Sequence, residues 1–358
     1  MLKRLDRYII AKFLGTYFFS LVLILSIAVV FDISEKSDDF FDSQAPLSAI
    51  VFDYYVNFIP YYMNMFSPLF VFISVIFFTS KLAGNSEIIA MLAGGVSFKR
   101  LMVPYFISAT IIFVLSFVLG GFVIPHSTRK MLDFENDYIK EFKTSHANNI
   151  QMEVEPGVIL YIESYLKESN QGFRMSLERF EGKTLASRLT AERIKWDSAY
   201  VWTIENYLKR DFDGMREYIT RGQSLDTVIN VQPDEFYITA QESEQMTITE
   251  LRHYLATQRR RGVGNIQAFE TELQKRYASP LAAFIMTLIG VSLSSRKVRG
   301  GMGKNIGIGV ALSAIYILFS TVSSSFAVSG VMSSFMAVWL PNFIFIAIGA
   351  FLYTRAPK

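Results

Sequence analysis

Residues 305–354 read NIGIGVALSAIYILFSTVSSSFAVSGVMSSFMAVWLPNFIFIAIGAFLYT, 50 positions without one aspartate, glutamate, lysine or arginine. As a single helix this run would be about 75 Å long, more than twice the hydrocarbon core of a bilayer. It must fold back, and Ser323-Ser324-Ser325 through Ser329-Gly330 and Ser333-Ser334 supply small, turn-forming residues for the break. Four more charge-free runs lie upstream, at 13–31, 54–80, 101–125 and 277–295. Each is long enough for a span of roughly 20 helical residues. The expectation is six spans, near 13–31, 54–79, 101–124, 277–294, 305–326 and 333–353. A soluble globular chain is excluded, and an apolar content of 51% excludes a disordered or collagen-like one.

Between the third and fourth spans lies a polar block, so the plan is three spans, one domain, three spans. The fold class expected is an α-helical integral membrane protein with an inserted extracytoplasmic all-β domain. Its divisions are 1–125, with three spans; 126–262, the β domain and a following helix; and 263–358, with three more spans. Segments 148–154, 157–165, 172–180, 184–195, 199–209 and 224–231 are rich in β-branched and aromatic residues. Glu155-Pro156-Gly157, Glu181-Gly182-Lys183, Trp196-Asp197-Ser198 and Asp213-Gly214 separate them as turns. Strands so spaced suggest a sandwich, jelly roll or open barrel. Thr247-x-x-Glu250 has the form of a capping box opening a helix with Leu251, Tyr254 and Leu255 on one face, and Gly262 is its expected stop.

Short loops set orientation through their lysine and arginine bias. With the N-terminus inside, the cytoplasmic segments carry Lys3, Arg4, Arg7, Lys12, Lys81, Lys99, Arg100, Arg296, Lys297, Arg299, Lys304, Arg355 and Lys358. The short opposite loops hold only Lys36, amid Asp32, Glu35, Asp38, Asp39 and Asp42. The large domain is thus expected outside the cytoplasm. The first apolar stretch is too long for a signal-peptide core and runs into acidic sequence rather than a cleavage site, so it reads as a retained signal anchor.

Lysine plus arginine is 35 against 32 acidic residues, a net +3 that argues for no nucleic acid or other polyanion partner. The absence of cysteine removes disulfides, zinc-thiolate sites and cysteine nucleophiles together. His126, His146 and His253 form no ligand pattern, so no metal and no cofactor are expected. Gly300-Gly301-Met302-Gly303-Lys304-Asn305 lacks both the first glycine and the final hydroxyl residue of a phosphate loop. ATP is not bound here that way, and the chain reads as non-catalytic.

The most informative loop is 80–100. Asn85 or Ser86 can cap a short helix, Glu87 suits its positive dipole end, and Gly94-Gly95 stops it. Ile88, Ile89, Met91 and Leu92 make that helix apolar, so it needs a surface to pack on. The membrane face or other loops would serve, as would a separate cytoplasmic ATPase receiving it as a coupling helix.

Leu5-Asp6-Arg7-Tyr8-Ile9, Asn85-Ser86-Glu87 with Ala93-Gly94-Gly95, Arg276-Tyr277-Ala278-Ser279-Pro280 and Trp339-Leu340-Pro341-Asn342 together resemble the LptF/LptG lipopolysaccharide export permeases. The resemblance covers span count, orientation, inserted β domain and motif order, and the N-terminal motif leans to the LptG side. It implies an inner-membrane subunit paired with a paralogous LptF/LptG-type subunit. It also implies an LptB-like ATPase dimer on the coupling helices, and LptC/LptA-like periplasmic bridge proteins. Asn85, Ser86, Glu87, Ile88, Ile89, Met91 and Leu92 would then be the ATPase-coupling residues. Lipopolysaccharide would enter laterally between first and fifth spans and pass into the outer β-jellyroll. The fifth span is dense in small residues, and Gly309 and Ser313 are the candidates for that gate. In the family a basic residue near the outer end of the first span serves the lipid phosphates. Lys36 stands there, and Arg276, at the outer start of the fourth span, is the other candidate.

Two other classes compete. A membrane-anchored sensor or assembly scaffold would need an output domain, yet no cytoplasmic segment exceeds about 20 residues. An ion-driven secondary transporter usually carries ionisable residues within its spans, and these spans are charge-free over their central portions.

Overall fold

The computed structural model describes residues 4–139, 146–237, 240–261, 266–295 and 302–356. Among them six helices are long and apolar enough to cross a membrane. These are α1 (Arg4–Asp42), α2 (Leu47–Gly84), α4 (Phe98–Ile139), α6 (Gln267–Ser294), α7 (Met302–Val328) and α8 (Ser334–Thr354). The short α3 (Glu87–Ala93) joins α2 to α4, and α5 (Ile248–Arg261) precedes α6. The chain divides into two units, residues Met1–Ile139 with Glu270–Lys358, and Lys140–Phe269. The first limit lies beyond the expected 125 because α4 continues past its charge-free centre to Ile139, and the second falls within the first turn of α6. At 1.5 Å per residue the 39 residues of α1 reach about 58 Å, so its acidic last turns project beyond any hydrocarbon layer.

In the helical unit α6 lies innermost. A Cβ on Gly290 would stand 2.8 Å from Val75 and 3.1 Å from Phe72 of α2, and one on Gly349 of α8 would meet Leu288 and Ile289. Such bare positions let helices approach closely where lipid supplies no hydrophobic drive for their association. The break expected within 305–354 is a Schellman stop. Gly330 has φ +77°, its N–H donates to Ala327 O, and Val331 N–H reaches back to Phe326 O. Ser333 then opens α8, its hydroxyl accepting from Met336 N–H. Pro341 within α8 has no N–H, which deprives Ala337 O of its helical donor, and Ser323 of α7 supplies one at 2.5 Å.

The other unit is a six-stranded antiparallel sheet whose strands pair in sequence order. They are β1 (His146–Glu155), β2 (Val158–Leu166), β3 (Gln171–Glu181), β4 (Thr184–Ser198), β5 (Val201–Asp213) and β6 (Arg216–Val228). The turns fall as expected at Gly157, Gly182 and Gly214, each at positive φ, whereas the fourth lies at Ala199-Tyr200, one step past Ser198. β6 starts at Arg216 rather than 224, because its first half is outward-facing and carries no apolar alternation. Trp202, Tyr165 and Phe236 pack edge-on and tilted at 4.8–6.1 Å, and Trp202 Nε1 donates to Val231 O.

The sheet carries a crease. Inward-facing residues follow a two-residue period on each strand but skip to three at one transverse row. The flanking pairs are Ala147/Ile150, Ile162/Tyr165, Gly172/Met175, Ala191/Ile194, Ile204/Tyr207 and Gly222/Leu225. The strand registers place these pairs side by side across all six strands. Asn149, Arg174 and Asn206, on alternate strands within that row, have φ of +52°, +51° and +54°. Asparagine tolerates this region and arginine does so poorly. Arg174 is tied by its guanidinium to Glu163 at 3.0 Å, and Asn206 donates to Glu192 at 2.9 Å. Because all strands slip together, hydrogen-bond register survives while the sheet bends. Replacing Arg174 with valine should destabilise the domain by about 2 kcal/mol, whereas Arg174→Gly should leave it near wild type. Chemical denaturation followed by tryptophan fluorescence reads the difference, and equal loss in both variants would deny the crease its conformational requirement.

Candidate functional site

The loop singled out from sequence folds as two helix ends around a short helix. Ser86 sits at the N-cap of α3 with φ +61°, but its side chain makes no capping bond. Asn85 instead turns its amide onto Glu87 Oε1 at 3.2 Å, so it acts on the carboxylate rather than on the helix N–H groups. Gly95, at φ +84°, ends α3 as a second Schellman stop, with its N–H on Leu92 O and Val96 N–H on Met91 O. The helix lies on the bundle by one side chain above all. Ile88 is 1% exposed and shares a buried apolar cluster with Leu82, Ala83, Phe98 and Leu101, while Met91 and Leu92 are half-buried against it. Ile89 is 53% exposed, and Ala90 and Ala93 face outward beside it, with Glu87 half-buried at the rim. Of the seven candidate coupling residues, Ile88 thus anchors the helix and Ile89 belongs to its free face.

The two gate candidates lie elsewhere than a free surface. A Cβ on Gly309 would stand 2.4 Å from Ile76 Cδ1 and 3.6 Å from Phe72, so this glycine is where α7 presses on α2 of its own chain. Ser313, one turn on, is fully buried and donates to Gly309 O. The face of α7 turned away from the bundle carries Ile308, Ile315, Leu318 and Val322. Small residues signalled close helix contact correctly, but not with which neighbour. α1 shows the complementary pattern: one buried seam of Ile9, Phe13, Tyr17, Leu21 and Leu25 at four-residue spacing, the other faces turned outward.

Neither basic candidate has an open guanidinium or ammonium. Lys36 Nζ lies 2.9 Å from Glu135 Oε1 and 4.6 Å above the Tyr54 ring. Close by, Tyr54 and Tyr55 both donate to Asp32, in a stretch of α2 wound as a π-turn. Arg276 has a side chain only 4% exposed and donates from Nε to Glu272. The same stretch of α6 makes a polar joint with α7 and α8 through neighbouring residues. Pro280 tightens residues Ser279–Leu281 into a 3-10 turn, and Ala282 N–H turns to Ser279 O and Pro280 O, away from Ala278 O. Asn342 Nδ2 donates to that carbonyl at 3.0 Å, and Asn342 Oδ1 accepts from the Tyr316 hydroxyl at 2.7 Å. Trp339 Nε1 donates to Gln274 at 3.0 Å and Thr271 to Ser334 at 3.1 Å.

The joint therefore brings together two sequence motifs read separately, Arg276-Tyr277-Ala278-Ser279-Pro280 and Trp339-Leu340-Pro341-Asn342. A profile of the lipopolysaccharide export system permease LptF/LptG matches residues 7–355, from first span through last. The chain belongs to the LptF/LptG family. A search of curated proteins returned no match. With six membrane-capable helices and a six-stranded antiparallel domain between the third and fourth, the architecture agrees with an LptF/LptG permease of the inner membrane. Tyr316 is not singled out from the sequence, and Ser323 and Asp32 stand there only as part of the helix break and of the acidic loop.

Proposed function

We propose that this LptF/LptG-family subunit extracts lipopolysaccharide from the inner membrane and passes it to its own periplasmic β domain, driven by ATP hydrolysis on a separate cytoplasmic partner. The termini and α3 face the cytoplasm in this reading, as the basic residues of the short loops require. A lipid with several acyl chains leaves the bilayer at about 0.8 kcal/mol per exposed CH₂, which demands both an energy source and an apolar receiving surface. The inner face of the creased sheet, where Leu160, Ile162, Met175 and Ile204 are buried in an apolar core, would supply such a surface once that core opens.

The observation that carries the reading is α3. It is anchored to the spans by Ile88 yet presents Ile89, Ala90 and Ala93 outward beside a carboxylate. An LptB-like ATPase dimer would receive this face and that of a paralogous subunit. LptC/LptA-like bridge proteins suit the other end of the path, because β6 is an edge strand with Tyr218 and Ile219 outward, open to strand addition. The lateral gate is assigned to the outward face of α7 at Ile315 and Leu318, not to Gly309 and Ser313. A headgroup phosphate at Lys36 would share the ammonium with Glu135 or compete with it.

Affinity purification in mild detergent tests the assembly: an ATPase, a second permease and lipopolysaccharide should copurify, and a kinase or structural partner in their place would indicate a scaffold. Glu87→Ala should leave insertion and folding intact but weaken ATPase retention or uncouple hydrolysis from export. Normal copurification together with normal export would remove the coupling role from this loop.

A further inference from the structure

The α3 stop leads within three residues into α4, whose N-cap Ser97 accepts from Arg100 N–H at 3.3 Å. The guanidinium of that same arginine reaches across to α1, Nη2 lying 2.6 Å from Asp6 Oδ2. Asp6 is 2% exposed, so this is a charge-assisted bond to a buried carboxylate rather than a loose surface pair. Elsewhere along this half of α1 the contacts are chiefly apolar, the buried seam of Ile9, Phe13 and Tyr17 flanked by Leu5, Leu14 and the Tyr8 ring against Phe78. An apolar seam is non-directional and permits a helix to roll or slide, whereas a short ion pair fixes one point. Farther along, α1 is tied to α2 instead, through Tyr17 with Ser67 at 2.7 Å and through Asp32 with Tyr54 and Tyr55.

We infer that Asp6 and Arg100 are positioning residues that make the first span follow the docking helix, so that displacement of α3 turns α1 about its upper ties. The inference rests on the ATPase-coupled reading above. The same partner motion that shifts α3 pulls the start of α4, and the ion pair hands that motion to α1. Without the pair, α3 and α4 would move while α1 stayed on its apolar seam.

The test uses the full-length chain in lipid nanodiscs, with and without its copurified ATPase. Spin labels at Lys12→Cys and Val103→Cys, both outward-facing, report the α1–α4 distance. Asp6→Asn should broaden that distribution, and the swap Asp6→Lys with Arg100→Glu should narrow it again. Arg100→Lys, which keeps the charge but loses the planar fork, should fall between and serves if Asp6→Asn folds poorly. In the complex, Asp6→Asn should retain ATP hydrolysis while lipid released per ATP falls about tenfold, equivalent to ~1.4 kcal/mol of coupling. A merely structural role would lower both together. Unchanged distances and unchanged lipid per ATP in Asp6→Asn would overturn the inference alone. Failure of the wild-type chain to retain any ATPase would overturn the functional reading and this inference with it.

Discussion

Asn342→Leu is expected to destabilise the helical unit by about 3 kcal/mol and to abolish export. The side chain is 1% exposed, donates to Ala278 O and accepts from Tyr316. Leucine is of similar volume and would be welcome in a lipid-facing position, so any loss reports the two stranded groups rather than a cavity. An unsatisfied buried polar group costs about 1–3 kcal/mol, and the interior of a membrane bundle offers no water to replace the lost partner. The damage should be local to α6, α7 and α8, which meet at this residue. Proteolysis in detergent should open the region after Ser295 before α1 or α2. Asn342→Asp, which keeps the acceptor for Tyr316 but loses the donor to Ala278, should fall between wild type and leucine. Wild-type melting of the leucine variant would show that this joint does not hold the last three spans together.

Gly309→Leu is expected to be nearly as damaging, by overpacking. The new Cβ would fall 2.4 Å from Ile76 Cδ1, and the longer leucine side chain would press further on Ile76 and Phe72, both fully buried. Such insertions typically cost 1–3 kcal/mol. Gly309→Ala should be milder, since Cδ1 of isoleucine is the mobile end of a side chain. The same geometry fixes the outcome of inter-subunit cysteine trapping. Cysteines at Gly309 or Ser313 should fail to crosslink to a partner's first span, while those at Ile315 or Leu318 should succeed and block export until reduced. Efficient crosslinking through Ser313 would mean that α7 turns a different face to the partner.

What was legible in the sequence was whatever a local pattern encodes. Charge-free length gave the spans, and Gly94-Gly95 and Ser329-Gly330 marked helix stops because a left-handed residue there selects glycine. What was not legible depends on a neighbour distant in sequence. Gly309 shows that a helix comes close but not that Ile76 is what it meets. Arg276 ends a polar stretch at the expected start of a span, yet its side chain is buried and paired with Glu272. The crease was invisible for the same reason. A uniform alternation along 157–165 and 199–209 was the natural expectation, but three-residue steps at Ile162/Tyr165 and Ile204/Tyr207 interrupt it, and they make sense only when six strands slip together.

That slip sharpens the measurement on which the account turns. A photo-crosslinking residue is placed singly at 158–165 and 202–207 in the complex reconstituted with lipopolysaccharide, and adducts are scored with and without ATP. ATP-dependent lipid adducts are expected at Val158, Leu160, Ile162 and Ile204, resuming beyond the crease at Tyr207, with the intervening outward positions silent. Silence at every inward position, or equal labelling without ATP, would contradict the claim that the β domain receives the lipid.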